Sequence, residues 1–150
     1  MKKFVFKLEP VLNIRKQKEE EIQLLLAKAQ EKLNAALSEL KAIHGKRLEI
    51  ATCLENFKRN PTGIDDLIIY QNYLDVLDQQ VLKQEIKISD IYNEIEEIRC
   101  RLVEACRDKK IMEKMKEKQK NKHASDALRM EIGFLDEVGA LRNARKNIGK

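Results

Sequence analysis

Apolar residues recur along this chain at alternating intervals of four and three. Counted outward from Ile22, the series runs Leu8, Leu12, Arg15, Glu19, Ile22, Leu26, Ala29, Leu33, Ala36, Leu40, Ile43, Arg47, Ile50, Leu54 and Phe57, and only Arg15, Glu19 and Arg47 are not apolar. A sustained 4-3 alternation averages 3.5 residues, the repeat of a left-handed coiled coil. A helix with so narrow a stripe cannot bury it alone, so the pattern requires a partner helix. The spacing predicts a first helix over about 10–57. Leu8-Glu9-Pro10 marks its start, because proline is tolerated in the first turn, where its absent N–H has no intrahelical acceptor. At 1.5 Å per residue that is a rod of roughly 70 Å. Gly45 is the weak interior position. It lies off the stripe and costs about 1 kcal/mol against alanine, too little to break the helix.

Lys58-Arg59-Asn60-Pro61-Thr62-Gly63 is the clear turn of the sequence. Asn-Pro disfavours continued helix, and Thr62 followed by Asp65 reads as a helix cap. A second helix is expected over about 64–146. Its stripe is Leu67, Tyr70, Leu74, Leu77, Val81, Gln84, Ile88, Ile91, Ile95, Ile98, Leu102, Ala105, Lys109 and Met112. Reversing the chain near residue 62 sets Phe57 against Leu67, Leu54 against Tyr70, Ala36 against Ile88, Ala29 against Ile95 and Leu12 against Met112. Small alanines thus meet isoleucines. The expectation is an all-α fold, a long two-helix antiparallel coiled coil (a helical hairpin) in one domain spanning 1–150.

After Met112 the pattern changes. Residues 113–122 are helix formers almost without apolar side chains, and Ala124, Leu128, Leu135 and Val138 then return in a shifted phase, with Met130 and Phe134 beside them. The first helix has run out by then, so this part is expected to be a C-terminal helical overhang, partly mobile when alone.

Composition narrows the functions. Charged residues make up 37% and aromatics 5%, a balance typical of long helices rather than a thick layered core. The basic start Met1-Lys2-Lys3 has no apolar stretch behind it, so no secretion signal is read, and no run approaches a membrane span. Cys53, Cys100 and Cys106 form no disulfide framework and fit a reducing cytoplasm. There is no phosphate-binding glycine loop, metal-ligand spacing or nucleophile elbow. His44 and His123 lie far apart, and the Glu19-Glu20-Glu21 and Glu96-Glu97 pairs read as solvated faces. Catalysis, a metal and a cofactor are not expected. The lysines of 107–122 and the basic tail could meet an acidic partner or nucleic acid, or simply keep an exposed helix soluble. No aromatic platform is interleaved with them, which argues against nucleic acid.

The stripe leaves Ile68, Ile69, Tyr73 and Val76 unused. A thin coiled coil cannot bury them, so they mark a contact surface, unless the turn folds back as a short helical piece and covers them.

Three segments carry a resemblance. Phe6-Lys7-Leu8-Glu9-Pro10-Val11-Leu12-Asn13-Ile14-Arg15, Tyr70-Gln71-Asn72-Tyr73-Leu74-Asp75-Val76-Leu77 with Gln84 further on, and Phe134-Leu135-Asp136-Glu137-Val138 resemble, in order and spacing, the FliJ family of flagellar type III export proteins. The glycines Gly133 and Gly139 around the last segment depart from the strongly helical tail of that family. The resemblance implies a non-enzymatic, stalk-like coiled coil in the cytoplasm, peripheral to the inner face of the cell membrane at the flagellar base and not inserted in it. It implies contact with the hexameric flagellar export ATPase through Phe4, Phe6, Leu8, Leu12, Leu128, Phe134, Leu135 and Val138. It also implies contact with the cytoplasmic domain of the export gate through Tyr73, Val76, Leu77, Gln80 and Gln84, and binding of export chaperones. Leu77 also lies on the stripe. The equivalent stalk of a virulence injectisome, a basic nucleic-acid-binding coiled coil and a self-associating structural filament are the alternatives.

Overall fold

A computed structural model describes residues 2–59 and 63–148. They form two helices, α1 (Glu9–Arg59, 51 residues) and α2 (Ile64–Ile148, 85 residues), and among the described residues there is no strand. Asn60, Pro61 and Thr62, the centre of the expected turn and its cap, lie outside the described residues. Lys58 and Arg59, expected in the turn, are instead helical and place positive charge in the last turn of α1. Asp65 and Asp66 place negative charge in the first turn of α2. Both arrangements complement the helix dipole.

The chain divides into two compact units, residues 20–103 and residues 1–19 with 104–150, and both helices contribute to each. In the first of these, α1 and α2 run antiparallel, and the expected stripe is the seam between them. Ile22, Ala29, Ala36, Leu54, Leu77, Ile88, Ile91, Ile95 and Ile98 are all buried there. The Phe57 and Tyr70 rings meet with centroids 5.1 Å apart. Gln84 is the buried polar member. Its Nε2 donates to the Ala36 carbonyl at 2.9 Å and to Glu39 at 3.1 Å. Alanine at position 36 makes this possible, because a longer side chain there would fill the space the amide crosses to reach the backbone. Ion pairs edge the seam: Arg47–Asp78 at 2.6 Å, Lys32–Glu94 at 3.6 Å and Lys87–Glu39 at 4.0 Å. They are exposed, so each contributes a few tenths of a kcal/mol at most. Arg47, a stripe position by spacing, turns outward to make the first of them.

In the second unit the chain starts without regular structure at residues 2–6 and turns at Lys7-Leu8 into α1. The Glu9 N–H donates to the Phe6 carbonyl at 3.1 Å, and the Leu12 N–H donates to that of Leu8 at 3.0 Å. That turn brings Phe6 back onto Leu12. Both are buried with Met112 of α2, and Phe4 packs against the group. The Leu12–Met112 layer is the one the spacing predicts. Phe4 reaches further along α2, its ring 5.7 Å from that of His123. The initial segment also borders two open grooves on α2, one walled by Gln119, Lys122 and Asp126 and the other by Asp126, Ala127 and Met130. The N-terminal segment thus accompanies α2 past Met112 as far as His123, and beyond it the expected overhang begins, with Leu128, Met130, Phe134 and Leu135 exposed. Helix α2 continues without a break through Gly133 and Gly139 to Ile148.

Three polar stripe positions meet in this unit. Glu19 is buried and pairs with Lys109 at 2.7 Å, and Arg15 donates to the Asp108 carbonyl at 2.8 Å. The hydrogen bond from Lys109 holds the Glu19 carboxyl below its ordinary value against the opposing effect of burial, with the charges of Lys109 and Lys110 adding to it. The same hydrogen bond raises Lys109. A depressed carboxylate contributes stability that is complete above its unfolded pKa and lost as pH falls through the folded one. Wild type should therefore exceed Glu19→Gln in thermal stability at pH 7, and the gap should narrow steadily as pH drops below 4.5. Melting curves of both proteins between pH 7 and pH 3 check this, and a gap that does not change with pH would rule out the pair as its source.

Candidate contact surfaces

Once the seam is satisfied, the remaining apolar residues define what the protein can touch. At the start of α2, Ile64, Ile68, Ile69, Tyr73 and Val76 are exposed, and Tyr73 at 42% is the most covered of them. Helix α2 begins at Ile64, and among the described residues no further helical piece covers this face. Ile69, Tyr73, Val76 and Gln80 follow one another at intervals of four, three and four, which aligns them on one side of the helix, and Gln80 is exposed as well. The other two residues expected in this set are placed differently. Leu77 is 1% exposed and Gln84 is buried with its amide bonded to α1. Both belong to the 4-3 series, so the packing that forms the coiled coil turns them away from any partner. The exposed row on this face is correspondingly Ile69, Tyr73, Val76 and Gln80, with Ile68 beside it.

The second expected set is divided by the structure. Phe6 and Leu12 are interior residues of the Met112 cluster, and Phe4 is half-buried against it. Phe6 and Leu12 join the beginning of α1 to α2 and, of the residues of this set expected to make direct contact, are the two that lie buried. Leu8 remains exposed at 39%. On α2, Leu128, Phe134 and Leu135 are exposed and Val138 is half-buried. Met130, Ile132, Leu141 and Ile148 extend this apolar surface beyond the residues picked from the sequence.

Sequence reasoning passed over the Phe4–His123 stack, although a signal for it exists. Continuing the 4-3 steps from Met112 leads through Lys116 and Gln119 to His123, the residue that Phe4 meets. The lysine-rich stretch is also less of a free basic strip than its composition suggests. Lys109 is engaged by Glu19, and Lys116 by Glu9 at 2.9 Å. Among the described residues no group of His, Cys, Asp and Glu is placed to hold a metal ion, and no helix is long and apolar enough to cross a membrane. Cys53 and Cys100 are exposed free thiols and Cys106 is a half-buried one.

This arrangement, a two-helix seam with apolar surface left over on α2, can be compared with known proteins. No curated protein matches the sequence. The structure of a putative YscO homologue from Chlamydia trachomatis is similar, with a TM-score of 0.51 and 22% identity, covering 99% of this chain and 100% of that one. At that identity the likeness is one of fold. The family model for the flagellar FliJ protein matches residues 3–147. That span takes in the N-terminal turn, the exposed face of α2 and the C-terminal apolar surface together, and the chain belongs to the flagellar FliJ protein family.

Proposed function

We propose that this protein is the stalk-like coiled coil of a flagellar type III export apparatus, without catalysis of its own, carrying separate surfaces for the export ATPase hexamer and for the cytoplasmic domain of the export gate. The observation that carries the reading is the exposed row Ile69, Tyr73, Val76 and Gln80 on α2 of a FliJ-family chain. Aromatic and aliphatic side chains on one helix face, with a polar amide at the margin, suit a partner that closes over them and excludes water. Leu77 and Gln84 serve this surface indirectly: by locking α2 onto α1 they fix which way Tyr73 and Val76 point.

The ATPase-facing surface is the apolar part of α2 from Leu128 to Val138, with Leu8 as the exposed residue of the N-terminal turn. Phe4, Phe6 and Leu12 act there as supports, since they tie the start of α1 to α2. The site of action is cytoplasmic, at the membrane-proximal base of the flagellum, and export chaperones are further partners. The match to a flagellar family model supports the flagellar system over an injectisome. The engaged lysines Lys109 and Lys116 weaken the case for a nucleic-acid partner.

Two measurements test the surfaces separately. Tyr73→Glu with Val76→Glu should lower affinity for the isolated gate domain by about tenfold or more, since loss of a central aromatic anchor costs upwards of about 1–2 kcal/mol, with the helical circular dichroism unchanged. Equal affinity in calorimetric titrations of wild type and variant would remove the gate contact. Phe134→Asp with Leu135→Asp should leave the fold and gate binding intact and reduce stimulation of the ATPase. Full stimulation by that variant would place the ATPase contact elsewhere.

A further inference from the structure

The exposed part of α2 has a periodicity of its own. From Met130 the steps to Phe134, Glu137, Leu141, Ala144 and Ile148 are four, three, four, three and four. This is a second 3.5-residue seam, and it is out of phase with the first. Continued by spacing alone, the intrachain series would run from His123 through Asp126 to Met130, both of them exposed, and the next step is four again where three was due. An added step of four is a stutter, which rotates the apolar stripe away from the line followed by α1 and the N-terminal segment. The N-terminal segment meets α2 at His123, through Phe4. Phe134 and Leu141 are each 65% exposed and Ile148 is 85% exposed. A seam of this period calls for another helix.

The flanking residues say which helix. We infer that residues 130–148 of α2 pair antiparallel with the same segment of a second copy of this chain, forming a twofold-symmetric coiled-coil dimer. In that pairing Met130 faces Ile148 of the other copy, Phe134 faces Ala144, and Glu137 faces Leu141. The largest seam residue thus meets the smallest, as close packing of a two-stranded seam requires. In antiparallel coiled coils the positions just after Met130, Glu137 and Ala144 face one another across the seam. Those are Glu131, Val138 and Arg145. The antiparallel register sets Glu131 of each copy against Arg145 of the other and brings the two Val138 side chains together on the axis. On the opposite flank, Gly133, Ala140 and Asn147 are small or polar, and nothing lies within 4 Å of the position a Cβ would take at Gly133. The two helices can approach closely on that side.

The parallel alternative fails on the same residues. In register, it opposes Glu137 to Glu137 within the seam and leaves Glu131 and Arg145 without a charged residue of 130–148 across from them, whereas the antiparallel form pairs these two at both ends. A face that is complementary to itself under a twofold rotation is the condition for a closed dimer rather than an open filament. The seam is short and carries a glutamate, so the dimer is a weak one, with a dissociation constant in about the micromolar range.

Sedimentation equilibrium of the full chain under reducing conditions, at concentrations from about 1 to 200 µM to bracket that range, tests the assignment. The mass should rise towards twice that of the chain. Arg145→Glu should shift the association at least about tenfold to higher concentration, because it opposes two carboxylates at each end of the seam, and Glu131→Arg in the same chain should restore it. Circular dichroism should be the same in all three proteins, since these side chains are exposed in the single chain. Val138→Cys, in a chain with Cys53, Cys100 and Cys106 changed to serine, should cross-link to itself under mild oxidation. Phe134→Cys in that background should not, because in this register its nearest neighbour in the other copy is residue 144. A chain that stays monomeric throughout overturns the proposal. So does a dimer indifferent to Arg145→Glu, or one that cross-links through Phe134→Cys rather than Val138→Cys, since each puts the interface elsewhere or in another register.

Discussion

The apolar seam between α1 and α2 is the constraint from which the other features follow. A buried leucine or isoleucine contributes about 1.5–3 kcal/mol through its transfer from water, while an exposed ion pair contributes a few tenths. Arg47–Asp78, Lys32–Glu94 and Lys87–Glu39 therefore edge the register. The side chains that fix it are Leu54, Leu77, Ile88, Ile91 and Ile95 in one unit, and Leu12 with Met112 in the other. Because the seam has a period of 3.5, it takes one narrow stripe from each helix and leaves everything else to solvent. Such packing leaves the outer faces of the two helices as the surface a partner can meet.

Polar residues on the seam have a different part. Gln84 and the Glu19–Lys109 pair would be replaceable by apolar residues at little cost in stability, since desolvation offsets much of what an ion pair or amide gains. They do discriminate between registers. A slip by one heptad would take Lys109 from Glu19 and the Gln84 amide from the Ala36 carbonyl, leaving buried polar groups without partners. Apolar layers of similar size tolerate such a slip far better. The charged positions at 15, 19 and 109, which look like interruptions of the pattern, are thus its register marks, each satisfied by a partner on the facing helix or its backbone.

Much of this was legible in the sequence, for an identifiable reason. The 4-3 rule is local, so spacing alone predicts both helices, their antiparallel pairing and the exposure of Ile68, Ile69, Tyr73 and Val76. The same rule places Leu77 and Gln84 inside, yet the family resemblance pointed outward for both. Where the two disagree, packing prevails, because a 1% exposed leucine cannot also be a contact. The N-terminal segment was not legible in this way. Residues 2–6 are not helical, so no helical periodicity announces that Phe6 turns back onto Leu12 or that Phe4 stacks on His123. Only the continuation of the α2 stripe to His123 hinted that something would cover it.

The apolar surface left on α2 raises a last physical point. Exposed side chains such as Phe134 and Leu141 are held out in water at a cost, and an apolar surface of this kind marks a place of contact. The proposed self-pairing and the proposed docking to the ATPase hexamer would draw on the same residues, Phe134 and Val138 among them, so the two states would exclude each other. Mass action then orders them without a dedicated switch. A weak, symmetric pairing through a short seam would shield the apolar face while the chain is free, and would yield to any partner that buries that face more completely. The stutter after Met130 is what makes this possible, since it turns the second seam away from the first and lets one be opened while the other stays closed.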